Sequence, residues 1–365
     1  MKKNIGRRIF LKGSALAGMA GMMATTGTAA IAMSSVNNEE GSASPFSKEN
    51  AGFPGTKLSY NRNGKFKILQ LTDTHYVAGD PRSERALKNV NQMLDMEKPD
   101  LVIHTGDVIF GKPAEESLRQ ILAPISERKI PFAVALGNHD EEYDKTRQEV
   151  YEIIKTIPYS ITSTTEGIYG VTNYTLMLTS SKDDKISRVF YLFDSNRGAT
   201  IPDIPKTYGH IHFDQIAWYR KQSEAYAKMN GGVPVPAYAF FHIPLPEHKE
   251  ATRDDENGRM IGVRGENVGS PKINSGLFVS MKEMGDVQAI FVGHDHNSDC
   301  AIYWNNMFFI YGRFSGCDTV YNDLKPNGAR VIELTDGEKG FHSWIRLYGG
   351  DVIQDLKYPD NFVRK

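Results

Sequence analysis

Between residues 65 and 136, short apolar runs alternate with stretches of helical period. Phe66-Lys67-Ile68-Leu69-Gln70-Leu71, Leu101-Val102-Ile103-His104 and Phe132-Ala133-Val134-Ala135-Leu136 are brief and bounded by polar segments, so they read as strands. Glu84 to Met96 and Glu115 to Arg128 repeat their apolar positions every three or four residues and read as helices. Strands separated by helices at this spacing imply βαβ units with right-handed crossovers. The later half has more strand character, with runs over 174–178, 189–193, 237–241, 289–292, 302–311 and 330–334, and helices predicted over 214–229 and 275–284. Two packed sheets with helices on their outer faces account for both halves as one domain spanning 65–365.

Composition narrows the class. Of 365 residues, 40% are hydrophobic and 24% charged, a globular balance that argues against disorder or a multi-span membrane protein. The formal net charge is −1, but Lys2, Lys3, Arg7, Arg8 and Lys12 contribute +5 before residue 33, which leaves −6 on the rest. An acidic body without clustered Lys and Arg argues against a nucleic-acid-binding surface.

The basic segment Gly6-Arg7-Arg8-Ile9-Phe10-Leu11-Lys12 precedes a Gly- and Ala-rich stretch that ends in Ala29-Ala30-Ile31-Ala32. This pattern resembles a twin-arginine export signal over residues 1–32, with cleavage expected after Ala32. The resemblance implies the twin-arginine export machinery as a partner, a periplasmic or extracytoplasmic location, and no stable membrane span in the mature form. Residues 33–64, polar and rich in Ser, Asn and Gly, read as a linker. Only Cys300 and Cys317 are present; in an oxidising compartment they either pair or remain as two buried thiols.

Residues able to hold metal gather where strands end. Asp73-Thr74-His75, Gly106-Asp107 and Gly137-Asn138-His139-Asp140 each follow one of the first three strands. His242 ends the run Tyr238 to Phe241, and Gly293-His294-Asp295-His296 follows Ile290-Phe291-Val292. Ligands of open α/β sheets collect beyond the carboxyl ends of strands, so the five islands are able to meet in one crevice. They offer two carboxylates, one amide and four imidazoles, a donor set suited to two adjacent hard or borderline cations. Two divalent ions, two carboxylates and a hydroxide sum to about +1, which attracts an anion, and paired cations generate a hydroxide nucleophile near neutral pH.

The order D-x-H, G-D, G-N-H-D, strand-end His, G-H-x-H is similar to that of the calcineurin-like metallophosphoesterases. The resemblance covers roughly Lys65 to Arg313, and it implies a four-layer αββα sandwich of two mixed sheets flanked by helices. It assigns Asp73, His75 and His296 to one metal and Asn138, His242 and His294 to the other, with Asp107 bridging both. The ions implied are two divalent or mixed-valence transition metals, Fe, Mn or Zn. His139 is expected to donate a proton to the leaving group, and Asp140 either orients that imidazole or caps a helix; Asn138 and His139 are expected to touch the phosphate. Arg264 and Arg313 are candidate substrate contacts, and Glu247 a candidate for the cleft rim. His104 is expected in the core or behind the ligands, His210 and His212 in a loop before a helix, and His248 and His342 on the surface.

Purple acid phosphatases carry a Gly where His75 stands, and a metal-bound Tyr at the position of Phe110. The chain therefore looks like their D-x-H relatives, and a tyrosinate-bound purple iron is not expected. The implied activity is an exported dinuclear-metal phosphoesterase, foremost a phosphomonoesterase that uses a metal-bridging hydroxide. A phosphodiesterase or nucleotide pyrophosphohydrolase is the alternative, the choice depending on loops 196–212 and 245–275. A non-catalytic binding scaffold is the third reading, and such relatives usually lose ligands.

Overall fold

The computed structural model describes residues 56–362 apart from 184 and 255; the segment resembling an export signal lies outside them. The described residues form sixteen strands and six α-helices. In chain order they are β1 (Thr56–Ser59), β2 (Lys65–Leu71), α1 (Glu84–Glu97), β3 (Leu101–His104), α2 (Ala114–Glu127), β4 (Phe132–Val134), α3 (Arg147–Thr156), β5 (Tyr174–Thr179) and β6 (Ile186–Leu192). There follow β7 (Gly198–Ile201), β8 (Ile204–Tyr208), α4 (Phe213–Met229), β9 (Ala237–Phe240), α5 (Pro246–Ala251), β10 (Arg259–Ile261), α6 (Leu277–Met284) and β11 (Val287–Val292). The chain closes with β12 (Ala301–Trp304), β13 (Met307–Tyr311), β14 (Gly328–Thr335), β15 (Phe341–Leu347) and β16 (Val352–Tyr358).

An eight-stranded sheet runs β1-β5-β6-β9-β11-β13-β12-β10, and a six-stranded sheet runs β16-β15-β14-β2-β3-β4. Strand periodicity sorts the apolar residues into three layers. Ile68, Leu101, Ile103 and Ile332 point from the six-stranded sheet toward Phe190, Phe240, Phe291 and Ile310 of the other, forming the central layer. Their neighbours Leu69, Leu71 and Val102 pack outward on Val90 and Met93 of α1, Leu118 and Ile121 of α2, and Val150 of α3. On the far side Tyr191, Ala239, Ile290 and Phe309 meet Tyr219 of α4 with Leu277 and Met281 of α6. This is the mixed two-sheet sandwich read from the sequence. Gln70 points into the central layer and its amide donates to Thr105 Oγ1 and to the Val292 carbonyl, each at 3.1 Å, tying the two sheets together beneath the site.

Several elements differ from expectation. Thr56–Ser59, read as linker, pairs in parallel with β5 at the edge of the large sheet. The single run 302–311 is a hairpin, β12 and β13, turned by Asn305 and Asn306 at φ 48° and 56°, the left-handed pair a two-residue turn requires. The elements α3, α5, β1, β7, β8, β10, β15 and β16 were not anticipated. Cys300 and Cys317 are free, buried, and belong to different outer layers, so of the two alternatives the structure has the separate thiols. No helix among the described residues is long and apolar enough to cross a membrane.

Candidate metal centre

Strands β2, β3 and β4 run parallel, as do β9 and β11, and the five islands leave their carboxyl ends. Backbone bonds then lace the exits together: Asp73 N–H donates to Gly106 O, and His75 N–H to Asp107 O, both at 3.0 Å. The turns are tight enough that Asp73, His75, Asp107 and His294 sit at φ 53°, 44°, 53° and 74°. Left-handed backbone at such residues costs on the order of 1–3 kcal/mol each and persists where function holds it. Gly137 is required because a Cβ there would stand 2.2 Å from Asp107 N and 2.2 Å from Asp107 Oδ1.

Two triads result. Donor atoms of Asp73, His75 and His296 lie within 4.8 Å of one another, as do those of Asp107, His242 and His294. Asp107 Oδ2 stands 3.1 Å from His242 Nε2 and 3.6 Å from His75 Nε2, so it faces both groups. The imidazole pair His75 Nε2 and His296 Nε2 is 3.1 Å apart, and His294 Nδ1 and His242 Nε2 are 3.2 Å apart. Two nitrogens each about 2.0–2.1 Å from one ion, as zinc binds imidazole, stand about 3.0–3.4 Å apart at ordinary coordination angles. His242 Nδ1 donates to Thr105 O at 2.7 Å and His296 Nδ1 to Tyr321 O at 2.9 Å, so Nε2 is the nitrogen that each imidazole turns to the centre. Asn138 is buried and its Oδ1 has no partner, an orphaned acceptor beside the triads that a cation would satisfy.

Electrostatics agree. Burial alone would raise the Asp107 carboxyl, yet the imidazoles of His242, His75 and His139 outweigh it and hold it far below the usual carboxylate range. Burial likewise opposes a charge on His242, but Asp107 and Asp73 pull it up to about 9. Burial and the nearby His242 push His294 down to about 3. Two buried carboxylates are thus recruiting positive charge from imidazoles that two cations would supply directly. The residues present fit a dinuclear metal centre.

The remaining expectations divide. His139 lies at the lip, its ring 4.9 Å from Phe110 and its backbone N–H donated to Asp107 Oδ1 at 2.8 Å. Asp140 neither orients His139 nor caps a helix. It accepts four backbone N–H groups, from Asp107, Val108, Ile109 and Gly137, and so clamps the Gly106-Asp107 turn against its own. The orienting carboxylate is Glu142, whose Oε2 is 2.5 Å from His139 Nδ1. A turn with Glu142 N–H on His139 O brings the two together, and Arg197 bonds the other Glu142 oxygen at 3.0 Å. Arg313 is buried, bound to Asp299 and to the carbonyls of Leu324 and Pro326, and does not line the cavity beside the site. Exposed Arg264 bridges to Ser298 and does not line the cavity beside the site. Glu247 is buried, accepts from Asn274, and does not line that cavity.

His104 is buried against Thr74 Oγ1 at 3.0 Å, behind the ligands, as expected. His212 begins α4 with its ring stacked on Tyr169 and His210. His248 is not a surface residue: it packs on Phe309 and Tyr311 in the core, and burial pushes it down to about 3. His342 is half-buried beside Asp355.

Sequence reasoning also missed Arg147. It is buried on Asp194 and donates to the carbonyls of Leu136 and Gly137, fixing the turn that carries Asn138.

Residues 66–298 match the Calcineurin-like phosphoesterase family, and the chain belongs to it. It is 32% identical over 330 residues to phosphatase DCR2 of Saccharomyces cerevisiae, covering 80% of this chain but only 55% of that protein's length. It is also 32% identical over 320 residues to "Probable inactive purple acid phosphatase 29" of Arabidopsis thaliana, covering 79% of this chain and 81% of the relative. The fold is shared with a dimetal phosphatase from Danio rerio, with a TM-score of 0.55 at 13% identity, over 80% of this chain and 98% of that one.

Proposed function

We propose that this chain is an exported phosphomonoesterase that works with two metal ions. The observation that carries the reading is the meeting of the two triads at Asp107, which faces His75 on one side and His242 on the other. Asp73, His75 and His296 would hold one ion, Asn138, His242 and His294 the other, and Asp107 both. When bound, such a pair supplies an activated water and neutralises charge on the phosphoryl oxygens.

The chain's own groups do the rest. Glu142 holds His139 through Nδ1, leaving Nε2 free to give a proton to the departing alkoxide. Asp140, Arg147 and Gly137 keep the Asn138 turn against Asp107. This chain has every donor of the motif set together with His139. The basic, twin-arginine-like amino terminus supports delivery outside the cytoplasm.

The test is a paired assay of p-nitrophenyl phosphate and bis(p-nitrophenyl) phosphate after loading with Fe, Mn, Zn or Mg. Faster turnover of the monoester supports the proposal. Faster turnover of the diester assigns a phosphodiesterase, and hydrolysis of neither with metal bound makes the fold a binding scaffold.

A further inference from the structure

A cavity of about 730 Å3 opens beside the centre, with Asn138 and His139 at its inner end. Its outer wall is the hairpin β7–β8 and the loop around Gly269, which contribute Lys206, Tyr208 and Lys272. Two attachments make this wall a built surface. Lys272 N–H donates to Thr207 Oγ1 at 2.8 Å, and its ammonium to Lys206 O at 3.3 Å. The Tyr208 ring stands edge-on to His294 with centroids 4.4 Å apart, so the hairpin reaches the metal-facing histidines.

The charges on this wall are unbalanced. Arg197 is neutralised by Glu142, but among the described residues neither Lys206 nor Lys272 has a carboxylate partner. The two ammoniums therefore present about two positive charges to the cavity, matching one further phosphate dianion. A phosphoryl group alone leaves most of this space empty, since cavities of roughly 300–1,000 Å3 accommodate whole small molecules.

We propose, on the basis of the phosphoesterase reading above, that the substrates are small bisphosphorylated alcohols. One phosphate meets the metal centre and His139, while the second is held by Lys206 and Lys272. The bond cleaved is the ester at the metal centre: water adds to phosphorus, the alcohol leaves with a proton, and the second phosphate is unchanged.

The test uses alkanediol bisphosphates of increasing chain length beside the corresponding monophosphates, with wild type and the K206M/K272M double variant, both metal-loaded. The expected result is one chain length whose bisphosphate exceeds its monophosphate by about tenfold or more in kcat/KM, the scale of a charge-assisted contact. That preference falls at least severalfold in the double variant, and in wild type it weakens as salt is raised. Equal kcat/KM for bis- and monophosphates overturns the proposal, as does a preference that survives both substitutions. A phosphopeptide with acidic neighbours that outperforms every diol also overturns it, giving the wall to a protein substrate. Absence of hydrolysis of all esters, p-nitrophenyl phosphate included, refutes the underlying phosphoesterase reading instead and this proposal with it.

Discussion

Replacing His139 by Ala isolates proton donation from metal binding. The substitution keeps the backbone N–H that bonds Asp107 Oδ1 at 2.8 Å, and the imidazole belongs to neither triad, so the metal centre stays intact. What is lost is a ring contact with Phe110 at 4.9 Å, the Nδ1 bond to Glu142 and the free Nε2. Side-chain exposure of 31% makes the packing loss small, so folding is retained. Loss of a general acid is worth about 100- to 10,000-fold in rate, or about 3–5 kcal/mol of barrier, and only where the leaving group needs the proton. An alkoxide needs it near neutral pH, and p-nitrophenolate does not. The assay is kcat on an alkyl phosphate and on p-nitrophenyl phosphate, with metal content measured on the same samples. Glu142→Gln, which keeps an acceptor but removes its charge, is expected between wild type and H139A on the alkyl ester. Equal losses on both esters, or loss of metal from H139A, would refute the proton-donor role.

Gly137→Ala forces a methyl group to 2.2 Å from Asp107 Oδ1. It is expected to displace the shared carboxylate, lower bound metal in elemental analysis and reduce stability by about 1–3 kcal/mol. The Arg147–Asp194 pair sets a pH dependence: burial favours the protonated acid, but Arg147 outweighs it and holds the carboxyl below its ordinary value. A depressed folded pKa contributes stability that is fully present above about pH 4, the unfolded value, and is lost as pH falls through the folded one. Asp194→Asn, which leaves Arg147 buried without its counter-charge, is expected to cost about 3–5 kcal/mol at pH 7 in denaturant titrations, with the gap from wild type narrowing below about pH 4.

Much of this molecule was legible because its site follows directly on its strands. Runs such as Ile68-Leu69-Gln70-Leu71 must be buried on both faces, and the polar residues that break them therefore emerge together at one edge of a parallel sheet. What the sequence concealed depends on directions that emerge only on folding. Asp140 and Glu142 are both acids near His139, and only the turn that returns Glu142 to His139 O decides which one touches the imidazole. Arg313 leaves β13 at the edge where the ligands gather, but its guanidinium turns inward to Asp299. His248 stands in the polar string Pro246-Glu247-His248-Lys249-Glu250, which disguises the inner face of a short helix. The helix α3 did carry a readable start, since Thr146 and Glu149 form a capping box. The strand β16 carried little signal, because an edge strand with exposed Val352 and Asp355 has only one weakly apolar face.

The central claim is that five separated segments make one nest for two adjacent cations. Equilibrium dialysis against Mn2+ with elemental analysis, on wild type, His296→Ala and Asp107→Asn, addresses it most directly. The account predicts close to two ions per chain for wild type, about one for H296A, which breaks a single triad, and weakened retention of both for D107N, which alters the carboxylate facing each. One ion or none in wild type, or equal content in all three proteins, would contradict it.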